Sequence, residues 1–352
     1  MKIPPILAIL LLLASPLLAQ ENDFTLHEGE IDGAPYKVVV PHNWESGYVF
    51  FHVHGWRPAD APHEADLDLS DPFYQHLIDE GWVIGRTAFQ ENGVDHDAHT
   101  RELSALKNWI INNIGDIELL IMEGESTAGS LVLRIAELQP DLADGVIAKG
   151  AFIDLEDESA DSYLLAEPEI PAVLMSNLTE LDGPVAYAAS AEFAEVPPSL
   201  RPLLRPGHVN VNWTERRDAL SYLYAWIREG VYSPFSDGTR IVPDRDTGTV
   251  LHENFIENRV VDVNPFFGNA FLGFHPDELK EAGIKQGETF VLEIHNQQRN
   301  VYYGTTYGDV GPGEWVAFPT ADDRILVARY HQSAIQAANM NVGDRVRLMS
   351  VD

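Results

Sequence analysis

Cysteine is absent from the chain of 352 residues. Disulfides, thiolate nucleophiles and thiolate metal sites are therefore excluded. Positive charge is scarce. There are 23 Lys and Arg against 55 Asp and Glu, for a formal net charge of −32. Such a surface repels nucleic acid and anionic lipid and does not attract polyanionic substrates. The acids are dispersed apart from a denser stretch at 154–161 (DLEDESAD), so most read as solvated surface. Long apolar runs are also missing, with one exception at the start. MKIPPILAILLLLASPLLAQ carries Lys2, an apolar run from Ile6 to Leu13, and small residues before a plausible cut after Ala19. That run is too short for a comfortable spanning helix, and residues 1–19 read as a secretory signal. The expectation is a secreted or periplasmic protein with no nucleic-acid partner and no membrane contact after signal cleavage. No cysteine follows the run, so no lipid anchor is expected. Nothing in the pattern specifies an oligomeric state.

What is present suits folded domains. The chain is 45% hydrophobic and 10% aromatic, which supplies a core and argues against disorder. Its length suits two domains. Apolar runs at 36–40, 48–53, 82–88, 118–122, 145–149 and 172–175 read as strands. Helical spacing appears at 100–113, 130–139, 186–193 and 215–228. Strands alternating with helices predict an α/β fold, a mostly parallel sheet covered on both faces. The texture changes near Gly230. Residues 233–257 are rich in Pro, Gly, Ser and Asp at their start and read as a linker between a domain at 20–232 and another at 258–352. The second is predicted to be β-rich. Its strands are expected at 258–263, 289–295, 300–306, 314–318, 324–328 and 344–349, with a short helical piece at 333–339.

The most informative segment is ELLIMEGESTAGSLVLRIAE, residues 118–137. An apolar strand runs into Gly124-Glu125-Ser126-Thr127-Ala128-Gly129, and an amphipathic helix begins at once. This is the context of a nucleophile elbow. Small residues two before and two after the serine let strand and helix approach, and Gly124 and Ala128 fill those places. The turn presents the Ser126 hydroxyl at a helix N-terminus, where the dipole favours developing negative charge. The plainer reading is that Ser126 only caps the helix.

On these residues, with GWVIGRTAFQENGVDHDA (81–98) before the elbow and AELQPDLADGVIAKGAF (136–152) after it, residues 36–228 resemble an α/β-hydrolase of the bacterial esterase and feruloyl-esterase-like sort. The resemblance implies a chain order of Ser, then acid, then His. It implies Ser126 as nucleophile and Asp182 as acid, on a turn with Gly183 and Pro184. Glu180, two residues earlier, is the competing acid. His208, in Gly207-His208 ahead of the last helix, is the implied base. The loop after FFHVHGW should supply the Trp56 amide to the oxyanion, with the Thr127 amide as second donor. His54 in that loop reads as structural. The Asp97/His99 pair with His96 lacks further ligands at a known spacing, so no metal is expected.

The second domain carries VDVNPFFGN (261–269), the Gly343-Asp344 turn and a helix at Ala334. Roughly from 258 to 349 it resembles the C-terminal β domain of the S-adenosylmethionine hydroxide adenosyltransferases. In that family the domain helps hold adenine together with a different N-terminal domain. That partner is missing here, so no S-adenosylmethionine and no other cofactor is expected. The combined expectation is a secreted serine hydrolase acting on a small-molecule or polymeric ester through an acyl-enzyme. Amide or thioester cleavage, and a non-catalytic ligand-binding protein on a hydrolase scaffold, remain the alternatives.

Overall fold

The computed structural model describes residues 23–158, 160, 162–242 and 247–351; the secretory segment expected at 1–19 lies outside the described residues. The first domain is built on an eight-stranded sheet. Its strands are β1 (Phe24–Ile31), β2 (Ala34–Pro41), β3 (Tyr48–Val53), β4 (Val83–Thr87), β5 (Leu119–Glu125), β6 (Gly145–Lys149), β7 (Ala172–Asn177) and β8 (Ser199–Leu203). They lie in the order β1-β2-β4-β3-β5-β6-β7-β8. β1, β2 and β4 pair antiparallel, and β4, β3 and β5 to β8 pair parallel. This is the α/β-hydrolase architecture expected from the sequence.

The helices are α1 (Pro72–Asp79), α2 (His96–Asn113), α3 (Thr127–Leu138), α4 (Asp182–Ser190) and α5 (Trp213–Glu229). Side chains alternate across β5. Leu120 and Met122 join Leu103 of α2 and Leu131 of α3 in one core, while Leu119 and Ile121 join Leu77 of α1 and Leu223 of α5 in the other. Both faces are covered, which is why the central strands read as continuous apolar runs.

Two strands and a helix of this domain escape the sequence reading. β1 is a polar edge strand, joined to β2 through Asp32 and Gly33, both at positive φ, as a tight hairpin turn requires. α1 has only eight residues and is started by the Asp71 side chain accepting from Phe73 N–H, with Pro72 in its first turn. β8 contains Pro202 and lies last in the strand order.

The stretch expected as a linker is divided between the domains. Residues 234–239 run beside β8: Leu200 N–H donates to Pro234 O at 2.9 Å and Leu204 N–H to Thr239 O at 2.7 Å. Further on, β9 (Val250–Leu251) and the start of β10 (Ile256–Asn264) belong to the second domain. Lack of side-chain periodicity does not prevent backbone pairing, so composition marks too wide a linker here.

The second domain also holds β11 (Asn269–Leu272), α6 (Pro276–Glu281), β12 (Thr289–Ile294), β13 (Gln297–Tyr303), β14 (Trp315–Pro319), β15 (Ile325–Arg329), α7 (Ala334–Ala338) and β16 (Arg345–Ser350). Their order is β11-β15-β14-β13-β12-β16-β10-β9, and β10 also pairs β11. β10 makes both joins: residues 256–259 pair β16, and a register shift after Val260 lets its later residues pair β11. The sheet thus closes into a barrel around Phe290, Leu292, Val301, Val327 and Leu348.

The domains touch at defined points. The Arg57 guanidinium lies 4.4 Å from the centroid of the Phe266 ring. Asn210 Nδ2 donates to Pro319 O at 3.3 Å and Asn212 Nδ2 to Ala321 O at 3.2 Å.

Candidate active site

Ser126 stands between the end of β5 and the start of α3 with φ 57° and ψ −124°. A non-glycine residue in this region is strained, and the surroundings must hold it there. Its N–H donates to Lys149 O on the neighbouring strand at 2.8 Å. Gly124 permits the turn: a Cβ there would lie 2.1 Å from Ala128 O. The Ser126 side chain makes no capping bond to the helix. Its hydroxyl faces His208 instead.

His208 Nε2 lies 2.8 Å from Ser126 Oγ, and His208 Nδ1 lies 2.5 Å from Glu180 Oε2. The other Glu180 oxygen accepts from Asn177 N–H and Val209 N–H, each at 3.4 Å. Glu180 ends a 3₁₀ turn over residues 178–180 that follows β7 directly and is closed by a reciprocal Asn177–Glu180 capping box.

The structure corrects the choice of acid. His208 pairs with Glu180, whereas Asp182 is the exposed first residue of α4. The chain turns as soon as β7 ends, so the third residue past the strand faces the His208 loop. Two residues later the chain is already helical. Gly183 and Pro184 lie in the first turn of α4, where proline is tolerated and an acid complements the helix dipole. Their turn-like composition marked the helix start.

The loop after β3 lies against the elbow. A Cβ on Gly55 would meet Glu125 O at 2.7 Å and the Ser126 Cβ at 3.0 Å. The chain next to Ser126 therefore continues into Trp56. Thr127 opens α3, and an N–H at that position has no acceptor within its own helix. The Trp56 and Thr127 amides thus belong to the two segments that meet at the nucleophile. His54 Nδ1 lies 2.8 Å from Gly55 O, and its ring packs on Phe89. Burial, with Arg57 and Arg86 nearby, holds the His54 imidazole well below its usual range, so it stays uncharged. Trp56 is 48% exposed, and Phe152, 52% exposed, has its ring 5.1 Å from that of His208. One open aromatic side chain, Phe152, therefore stands beside the three polar groups. Among the described residues no group of three or more His, Asp or Glu is arranged to hold a metal ion.

Sequence reading missed an ionic network beneath the elbow. Glu123 of β5 is 0% exposed and lies 2.6 Å from Arg216 Nη2 and 3.1 Å from Lys149 Nζ. Burial alone would raise its pKa, but Arg216 and Lys149 outweigh it and hold it at about 2. Glu125, next to the nucleophile, lies 3.5 Å from Lys149 Nζ and 3.6 Å from His52 Nε2. Burial, reinforced by Arg86, lowers the His52 pKa to about 3, so its ring is neutral and accepts at Nδ1 from Arg86 at 2.8 Å. The signal was available: opposite charges end the adjacent apolar runs ELLIMEGE and GVIAK.

Residues 259–347 match the family model described as the S-adenosylmethionine hydroxide adenosyltransferase C-terminal domain. No curated protein matches the chain. Among solved structures, an uncharacterized conserved protein from Thermotoga maritima is similar over 32% of this chain at 18% identity, with a TM-score of 0.27, and the match spans 43% of that protein. A dienelactone hydrolase from Anabaena variabilis is similar over 58% of this chain and 98% of its own, at 14% identity and a TM-score of 0.42. A Pyrococcus furiosus esterase is similar over 58% of this chain and 91% of its own, at 13% identity and a TM-score of 0.44.

Proposed function

We propose that the protein is a secreted serine hydrolase that cleaves carboxylic esters through an acyl-enzyme on Ser126. The observation that carries this reading is the continuous relay Ser126 Oγ, His208 Nε2, His208 Nδ1, Glu180 Oε2, with links of 2.8 and 2.5 Å. A hydroxyl attacks a carbonyl effectively only when a positioned base removes its proton. In this scheme His208 takes the Ser126 proton as Oγ bonds to the carbonyl carbon, and Glu180 orients the ring and stabilises its charged form. The Trp56 and Thr127 amides donate to the oxyanion. His208 then protonates the departing alcohol, and water, deprotonated in turn by His208, releases the acid and restores Ser126.

Phe152 supports an ester with an apolar or aromatic portion, because an exposed ring beside a reacting centre is the natural place to bury one. A fluorophosphonate probe tests the nucleophile: the native protein is labelled and Ser126→Ala is not. Equal labelling of both would end this reading. Rates on a p-nitrophenyl ester and on the anilide of the same acid then separate ester from amide cleavage, and the ester is expected to react far faster.

A further inference from the structure

We propose that the C-terminal barrel is a positioning element of the hydrolase site, with Phe266 acting through Arg57 on the loop that carries the Trp56 amide. From residue 54 to 71 the chain forms neither strand nor helix, so no regular ladder fixes this loop. Arg57 holds it instead. Its guanidinium is 3% exposed, donates from Nη1 to Glu64 O at 2.9 Å, and pairs with Asp66, which also receives Arg86 at 2.8 Å. The loop is thus wrapped around one planar cation immediately after Trp56. That cation is covered by a ring from the other domain, Phe266, at 4.4 Å. A cation over an aromatic face is held more strongly when it is removed from water, as this one is.

The base is tied to the same domain. Asn210, two residues after His208, donates to Pro319 O, and Asn212 donates to Ala321 O. The barrel therefore contacts the chain on both sides of the reacting serine. Misplacing a catalytic group by about 1 Å can cost on the order of a hundredfold in rate. Loss of one oxyanion donor costs about 10²–10³ in kcat. Releasing the cover on Arg57 loosens a donor without removing it, so the effect should fall below that range.

This inference rests on the serine-hydrolase reading, and the test keeps the two apart. The full-length protein and its Ser126→Ala, Phe266→Ala and Phe266→Tyr variants are assayed on p-nitrophenyl acetate well below each unfolding temperature. Ser126→Ala should be inactive. If it retains activity, the nucleophile assignment fails whatever Phe266 does. Phe266→Ala should lower kcat about tenfold with KM little changed, because a small acetyl ester does not need the barrel for binding. Phe266→Tyr, which keeps the ring face, should restore most of the rate. Should Phe266→Ala fail to fold, Phe266→Leu carries the test, since leucine keeps apolar bulk but lacks the aromatic face over Arg57, and the same loss confined to kcat is expected. An unchanged kcat in a folded variant, or a loss confined to KM, overturns the proposal.

Discussion

The two domains solve the problem of a buried centre in opposite ways. The first domain's sheet places ionised groups inside: Glu123 of the strand that leads to the strained serine, Lys149 and Arg216 are all buried and paired. The barrel interior holds Phe290, Leu292, Val301, Val327 and Leu348, while ion pairs such as Glu257–Arg347 and Glu293–Arg347 lie toward its outside. Charge removed from water is costly and persists only where each member is paired. The contrast therefore separates a domain that keeps polar groups rigid near a reacting atom from one stabilised by apolar packing.

The sharpest way to break this contrast is at the serine. Ser126→Ala should reduce kcat on a p-nitrophenyl ester by about 10⁶, while the circular-dichroism spectrum stays that of the native protein. Near-native turnover would remove the hydrolase half of the comparison. The acid comes next. Glu180→Gln should lower kcat by up to about 10⁴, whereas Asp182→Asn, at an exposed helix start, should leave the rate almost unchanged. The reverse ranking would return the role to Asp182.

Stability distinguishes the domains more directly. Glu123→Gln leaves Arg216 and Lys149 without their shared carboxylate and should cost about 3–5 kcal/mol, read from urea unfolding. Neutralising Glu123 without a loss of stability would show that the network is not needed to hold the fold.

Acidification should act in the same direction. Burial keeps His52 neutral down to about pH 3 in the folded protein, whereas in the unfolded chain it protonates near 6.5. Between those values the unfolded state binds more protons, so stability falls as pH falls. Ionised Glu123 stabilises the fold fully above the ordinary carboxylate range, and this is lost as pH drops toward about 2. Calorimetry from pH 7 to pH 4 should show the hydrolase transition moving to lower temperature; a transition that does not move would contradict the assigned shifts. The smallest effect is expected at the barrel's partly exposed pair. Glu257→Gln should leave the unfolding midpoint almost in place, and a large drop there would erase the contrast.

Much of the architecture is legible in the chain. Runs such as YVFFHV and GVIAK coincide with β3 and β6, because strands buried on both faces are mostly apolar. The elbow is legible because Gly124, Ser126 and Ala128 are local neighbours whose sizes permit only a tight turn. Edge elements are not: β1 and β8 lack that apolar signature, and α1 is too short for helical spacing to stand out.

By itself, the sequence determined the alternation of strand and helix, the nucleophile turn, and the presence of a second β-rich domain. Each depends on side chains close together along the chain. Only the tertiary structure decided that Glu180 rather than Asp182 meets His208, since two residues of separation become opposite directions once β7 ends in a tight turn. It alone closed the barrel through β10 and set Phe266 on Arg57. Arg57 and Phe266 stand more than two hundred positions apart, and Ile256 of β10 pairs with Leu348 of β16 92 positions on; local pattern carries no information about which distant surfaces will meet.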